Sequence, residues 1–205
     1  MNALLKFARL IDAFTEAIGK TVGWLILLAV IICTTNALMR YTFSMSSNAW
    51  LEIQWYLFAG VFMLAAAYTL RKNEHVRIDV ITSHFSPRVQ AWIDILGSLF
   101  FLLPLCLLML DFSIPYALKS IQSQEMSQNA GGLIVWPARL LIPAGFALLT
   151  IQACSELIKR VAFLRGMIDS SEFEKGSQSA EDEIIAIAKA NQLNVPVADL
   201  NITKD

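Results

Sequence analysis

Four long apolar runs fill most of the chain, over residues 21–39, 51–70, 89–110 and 138–157. Each has the roughly 20 apolar residues that a helix needs to cross a bilayer core about 30 Å thick. Lipid offers the backbone no hydrogen bonds, so a spanning segment must satisfy its own, and runs of this length select helices. The expected fold class is therefore all-α, an integral membrane protein with four transmembrane helices. Glu52, Asp94, Arg139 and Glu156 fall at the ends of these runs, which leaves the middle of each run uncharged. A carrier that holds an ionic cargo by itself keeps acids, bases or histidines at membrane depth. The pattern implies a protein that helps to move something without holding it.

Composition agrees with the membrane class. Hydrophobic residues make up 56% and charged residues 16% of the 205, too apolar for a soluble domain of this size. The formal net charge of −1 and the absence of a basic stripe exclude nucleic acid as a partner. Cys33, Cys106 and Cys154 all lie inside apolar runs, where they act as small hydrophobes rather than as a disulfide or metal framework.

Residues 1–20 carry Leu4, Phe7, Ala8, Ile11, Phe14 and Ile18 at helical spacing, with Lys6, Arg9, Asp12, Glu16 and Lys20 on the other side. That pattern predicts an amphipathic helix on the membrane surface, ahead of a first span kept as an anchor rather than cleaved as a signal. Lysines and arginines then set the orientation. Lys6, Arg9, Lys20, Arg71, Lys72, Arg77, Arg88, Lys159, Arg160 and Arg165 flank one side, and only Arg40, Lys119 and Arg139 the other. By the positive-inside rule both termini and the 71–88 loop are cytoplasmic, and the 41–50 loop and the 111–137 segment face outward. Residues 21–160 form the membrane domain. From 161 to 205 the chain turns polar and acidic, with too little apolar surface for a core, which predicts a mostly disordered cytoplasmic tail.

Two constellations stand out. Arg71, His75 and Asp79 form a polar cluster at the membrane surface, suited to lipid phosphates. A metal site needs three or four ligands, and His84 is the only other histidine. With both histidines in a loop, axial haem ligation within the spans fails as well. No nucleophile–base pair or phosphate loop occurs, so neither an enzyme nor a cofactor is implied. The second constellation begins at Glu52, where Trp55, Ala59, Met63, Ala66 and Ala67 continue one helical face. An acid above a stripe of small residues suits close helix packing in lipid. Arg40 stands across the short outer loop. Glu52 either pairs with Arg40 inside the chain or joins it in contacting a second protein.

Several ordered blocks resemble the small membrane subunit of tripartite ATP-independent periplasmic (TRAP) transporters. They include Arg40-Tyr-Thr-Phe43, Trp50-Leu-Glu52, Ala66-Ala-Tyr68-Thr-Leu-Arg71, His75-Val-Arg-Ile-Asp79 and Ser86-Pro-Arg88. Further along come Gln90-Ala-Trp-Ile-Asp94, Glu125-Met-Ser127, Asn129-Ala-Gly-Gly-Leu133, Trp136-Pro137 and Leu141-Ile-Pro-Ala-Gly-Phe146, then Gln152. They resemble most the branch labelled mannitol/chloroaromatic. Two departures lie on the outer side: Glu52 is followed by Ile53 and Gln54 rather than by a second acid, and no proline and basic residue precede Trp136. The resemblance implies an accessory subunit in a bacterial inner membrane, braced against a large permease subunit. It also implies a periplasmic substrate-binding protein as a transient partner, a sodium gradient as the driving force and organic acids as cargo. The competing readings are a membrane anchor for a redox or signalling complex, and a freestanding channel or exporter.

Overall fold

The computed structural model describes residues 2–44, 47–72 and 85–167. Its regular elements are helices: α1 (Asn2–Phe43), α2 (Asn48–Lys72), α3 (Pro87–Gly97), a π-helical turn (Ser98–Leu102), α4 (Leu103–Ser123) and α5 (Trp136–Leu164). Because α3, the π turn and α4 continue one another, four rods result, each long and apolar enough to cross a membrane. The all-α, four-span expectation is met.

Three boundaries differ from expectation. The first concerns residues 1–20, which do not form a helix apart from the first span; α1 runs unbroken for 42 residues, about 63 Å at 1.5 Å per residue. A change from amphipathic to wholly apolar character is not a break signal, and no proline interrupts the join. Glu16 ties it on two sides, to Lys20 one turn on at 2.9 Å and to Arg71 of α2 at 2.9 Å. The second is the end of the third rod: the apolar run stops at 110, but α4 continues to Ser123. Asp111 and Pro115 resemble a helix stop, but an internal proline removes one hydrogen bond without ending a helix that is held along its side. The third is residue 161, which lies within α5, and that helix ends only at Leu164. The tail beyond Met167 lies outside the described residues.

Helix α5 is central, with α1, α2, α3 and α4 all packed on it. Most of the buried apolar side chains among the described residues are small, Ala29, Ala67, Cys106, Ala153 and Ala162 with no exposed surface, and only Ile11, Val22 and Ile95 are larger. Since lipid tails are as apolar as leucine, helices in a bilayer associate through close approach rather than through burial of large side chains. Gly145 shows how close. A Cβ there would lie 2.7 Å from Met63 Cβ and 2.8 Å from the Met63 carbonyl oxygen, so α5 rests on the α2 backbone. At Gly19 the Tyr68 ring fills the same role between α1 and α2. The large apolar residues point outward instead, with Phe62 75% and Phe101 78% exposed. Ahead of Pro104, which has no N–H to give, the third rod widens into the π turn, where the Leu103 amide reaches back to the Ser98 carbonyl.

Candidate functional site

Polar side chains gather at the two ends of the bundle. At the end away from the termini, the chain between α4 and α5 folds back on itself. Gln124 ends α4 in the left-handed region (φ 47°), and the Val135 amide donates to the Glu125 carbonyl at 2.9 Å. Ser127 and Leu133 close the next rung at 2.8 Å. Glu52, at the start of α2, is buried beneath this hairpin. One carboxylate oxygen accepts from the Ser127 hydroxyl and from Asn129 Nδ2 (2.8 Å), the other from the Leu133 amide (2.6 Å). Gly132 is required at this point, because a Cβ would fall 2.8 Å from Glu52 Oε1. Asn48 donates to the Ala130 carbonyl at 3.0 Å, and Tyr56 to that of Ile134 at 3.1 Å. Beside them Arg139 of α5 forms a two-pronged pair with Glu125 and stacks 4.5 Å from the centre of the Tyr116 ring.

The termini end carries a second clasp, between α1 and α5. Gln152 is fully buried; it accepts from Thr15 at 2.8 Å and donates to Asp12 at 2.9 Å and to Glu156 at 3.2 Å. Lys159 pairs with Asp12 at 3.1 Å and with Glu156. Ser155 lies 3.2 Å from the Ala8 carbonyl and 3.0 Å from Asp12 Oδ1. These four α5 residues follow the i, i+3, i+4, i+7 pattern that puts them on one face. Arg160 pairs with Asp94, tying α3 to α5 at the same level.

The two polar belts stand one hydrocarbon core apart. Glu52 and Arg71 are 19 residues apart on α2, about 28 Å. Arg139 and Arg160 are 21 residues apart on α5, about 32 Å. Those spans bracket the thickness of about 30 Å that a bilayer presents.

Residues 11–163 match the family model described as "Tripartite ATP-independent periplasmic transporters, DctQ component". The chain belongs to that family. No curated protein and no solved structure matches it. As a DctQ component it is a multi-pass membrane protein and the small subunit of a TRAP transporter, a transporter part rather than a member of an enzyme family.

In this DctQ component the predicted site residues separate. Glu52 accepts hydrogen bonds from Ser127, Asn129 and Leu133 of its own chain, and not from Arg40, which is exposed. Met63 meets α5 at Gly145, while Trp55 is 64% exposed and Ala59 and Ala66 are half-buried. The inward face of α2 therefore runs through Glu52, Gly60, Met63 and Ala67, turned by about half a residue from the stripe drawn through Trp55. Arg71, in the last turn of α2, pairs with Glu16, and His75 and Asp79 lie outside the described residues. Sequence reasoning missed the hairpin donors, although Asn129-Ala-Gly-Gly had the makings of a turn. It missed the Gln152 clasp too, where polar residues at helical spacing in an apolar run were the available signal.

Proposed function

We propose that this chain is the accessory, non-catalytic subunit of a sodium-gradient-driven importer of organic acids, packed beside a large permease subunit that it braces. The match to the DctQ family over residues 11–163 carries this reading. The geometry supports it, because Glu52, Gln152 and Arg160, all buried, are engaged in joining parts of this chain. Such clasps make a rigid frame with an apolar exterior, which suits a brace. The organic-acid cargo and the mannitol/chloroaromatic branch rest on the sequence blocks quoted above. A periplasmic substrate-binding protein delivers the cargo. Arg40 and Trp55, with Ala59 and Ala66 beside them, form one edge offered to the large subunit.

The protein sits in the inner membrane with both termini cytoplasmic, by the excess of lysine and arginine at the termini end. The hairpin over Glu52 then faces the periplasm. Reconstitution with the large subunit, a sodium gradient and loaded binding protein should give uptake, and omission of this chain should abolish it. Sodium-driven uptake by this chain alone would refute the accessory role.

A further inference from the structure

Continuing α4 to Ser123 changes the standing of one residue. Asp111 lies inside the third rod instead of opening a loop, and it is exposed. It comes five residues before Tyr116, whose ring carries Arg139 at the outer belt, so it sits about 7.5 Å inside that belt. Among the described residues it is the one Asp, Glu, Lys or Arg between the two belts, and it forms no hydrogen bond or ion pair there. The nearest base along the helix, Lys119, is eight residues away, about 12 Å.

Its direction is as telling as its depth. Cys106, Ser113, Ala117 and Ser120 form the buried face of α4, toward α5. At 100° per residue Asp111 points almost the opposite way, among Leu107, Leu108 and Leu118, each more than half exposed. Pro115 falls four residues on and has no N–H, so the Asp111 carbonyl also lacks its helical donor. One residue thus presents two acceptors, one of them a carboxylate, to surroundings where lipid tails supply neither donor nor cation. Acids at such depth find partners.

We propose that this face of α4 seats a transmembrane helix of the large permease subunit that brings a lysine or arginine to the Asp111 carboxylate. This contact rests on the accessory-subunit reading and adds a second edge to the one at Trp55. It also turns the proline into part of the contact, since the freed carbonyl accepts from the same cation.

The test uses the full chain, tagged and co-expressed with the large subunit, with a photo-crosslinking phenylalanine analogue at Leu108, Leu118 or, on the α2 side, Phe62. Adducts to the large subunit are expected from Leu108 and Leu118. Asp111→Leu should lower recovery of the large subunit about thirtyfold, the scale of removing one partner of a desolvated charge pair, whereas Asp111→Glu should retain most of it. The isolated chain carrying Asp111→Leu should melt as the wild type does, because the side chain touches none of its own core. Adducts from Phe62 but none from Leu108 or Leu118 would overturn this contact and leave the accessory role standing. Adducts to a second copy of this chain would overturn it too, as would unchanged recovery with Asp111→Leu. If the large subunit fails to co-purify even with the unmodified chain, the contact and the accessory reading fall together.

Discussion

Replacing Gly145 with alanine isolates the close approach on which the bundle depends. In an open helix interior, alanine is favoured over glycine by about 1 kcal/mol. Gly23 and Gly97 are such positions, since a Cβ at either meets nothing within 4 Å. At Gly145 the same methyl group would lie 2.7 Å from Met63 Cβ and 2.8 and 3.0 Å from the Met63 backbone oxygen and carbon. Backbone cannot rotate away, so α5 must shift off α2, and overpacking of this kind costs about 1–3 kcal/mol. Taking the upper part of that range and subtracting the helix gain leaves a net loss of about 1–2 kcal/mol. Gly97→Ala should be stabilising, so the two variants differ in sign as well as size. Buried Cys106 supplies the readout, in a background where the exposed Cys33 and Cys154 are serine. A thiol-reactive dye added to the detergent-purified protein reports when heating opens the bundle. At about 2–4 °C per kcal/mol, Gly145→Ala should melt about 2–8 °C below the parent. A melting point at or above the parent's would show that α2 and α5 are not in backbone contact at Gly145.

Three further outcomes follow from the clasps. Glu52→Gln should speed hydrogen exchange at the Leu133 amide and proteolysis within 124–135, whereas Arg40→Gln should leave both unchanged; equal effects would restore the Arg40 pairing. Gly132→Ala should reproduce the Glu52→Gln phenotype, because its methyl group would occupy space beside Glu52 Oε1 and Ser127, and normal protection at Leu133 would count against the hairpin geometry. Gln152→Leu should destabilise the bundle by about 1–3 kcal/mol in the Cys106 assay, since it leaves the buried Thr15 hydroxyl without its acceptor and takes one donor from Asp12; a neutral result would mean the clasp is dispensable.

The family and the number of spans were legible in the linear chain, for a physical reason. Spanning helices are dictated by solvent: about 20 apolar residues in a row have few other stable fates, and that requirement is local. The belts were legible in part. Glu52, Asp94, Arg139 and Glu156 were recognisable as end-of-run residues, and their levels agree with the ion pairs that the structure forms. Boundaries were less so. The end drawn at 110 and the join drawn at Lys20 followed the limits of the apolar runs and of the amphipathic pattern, and the helices run through both.

What the sequence by itself determined is the medium this protein lives in, its four crossings and its kinship, because hydropathy and motif order need no knowledge of who touches whom. Only the tertiary structure decided the partners. Glu52 had Arg40 nearby along the chain, yet a hairpin 75 to 81 residues away delivers two side chains and a backbone amide to its carboxylate. Gln152 reaches Asp12 and Thr15 across 140 and 137 residues. Such contacts depend on how four rods rotate and slide against one another, and that setting comes from glycines and alanines that let backbones meet. The same rotation left Asp111 facing outward, a direction that the sequence around it does not state.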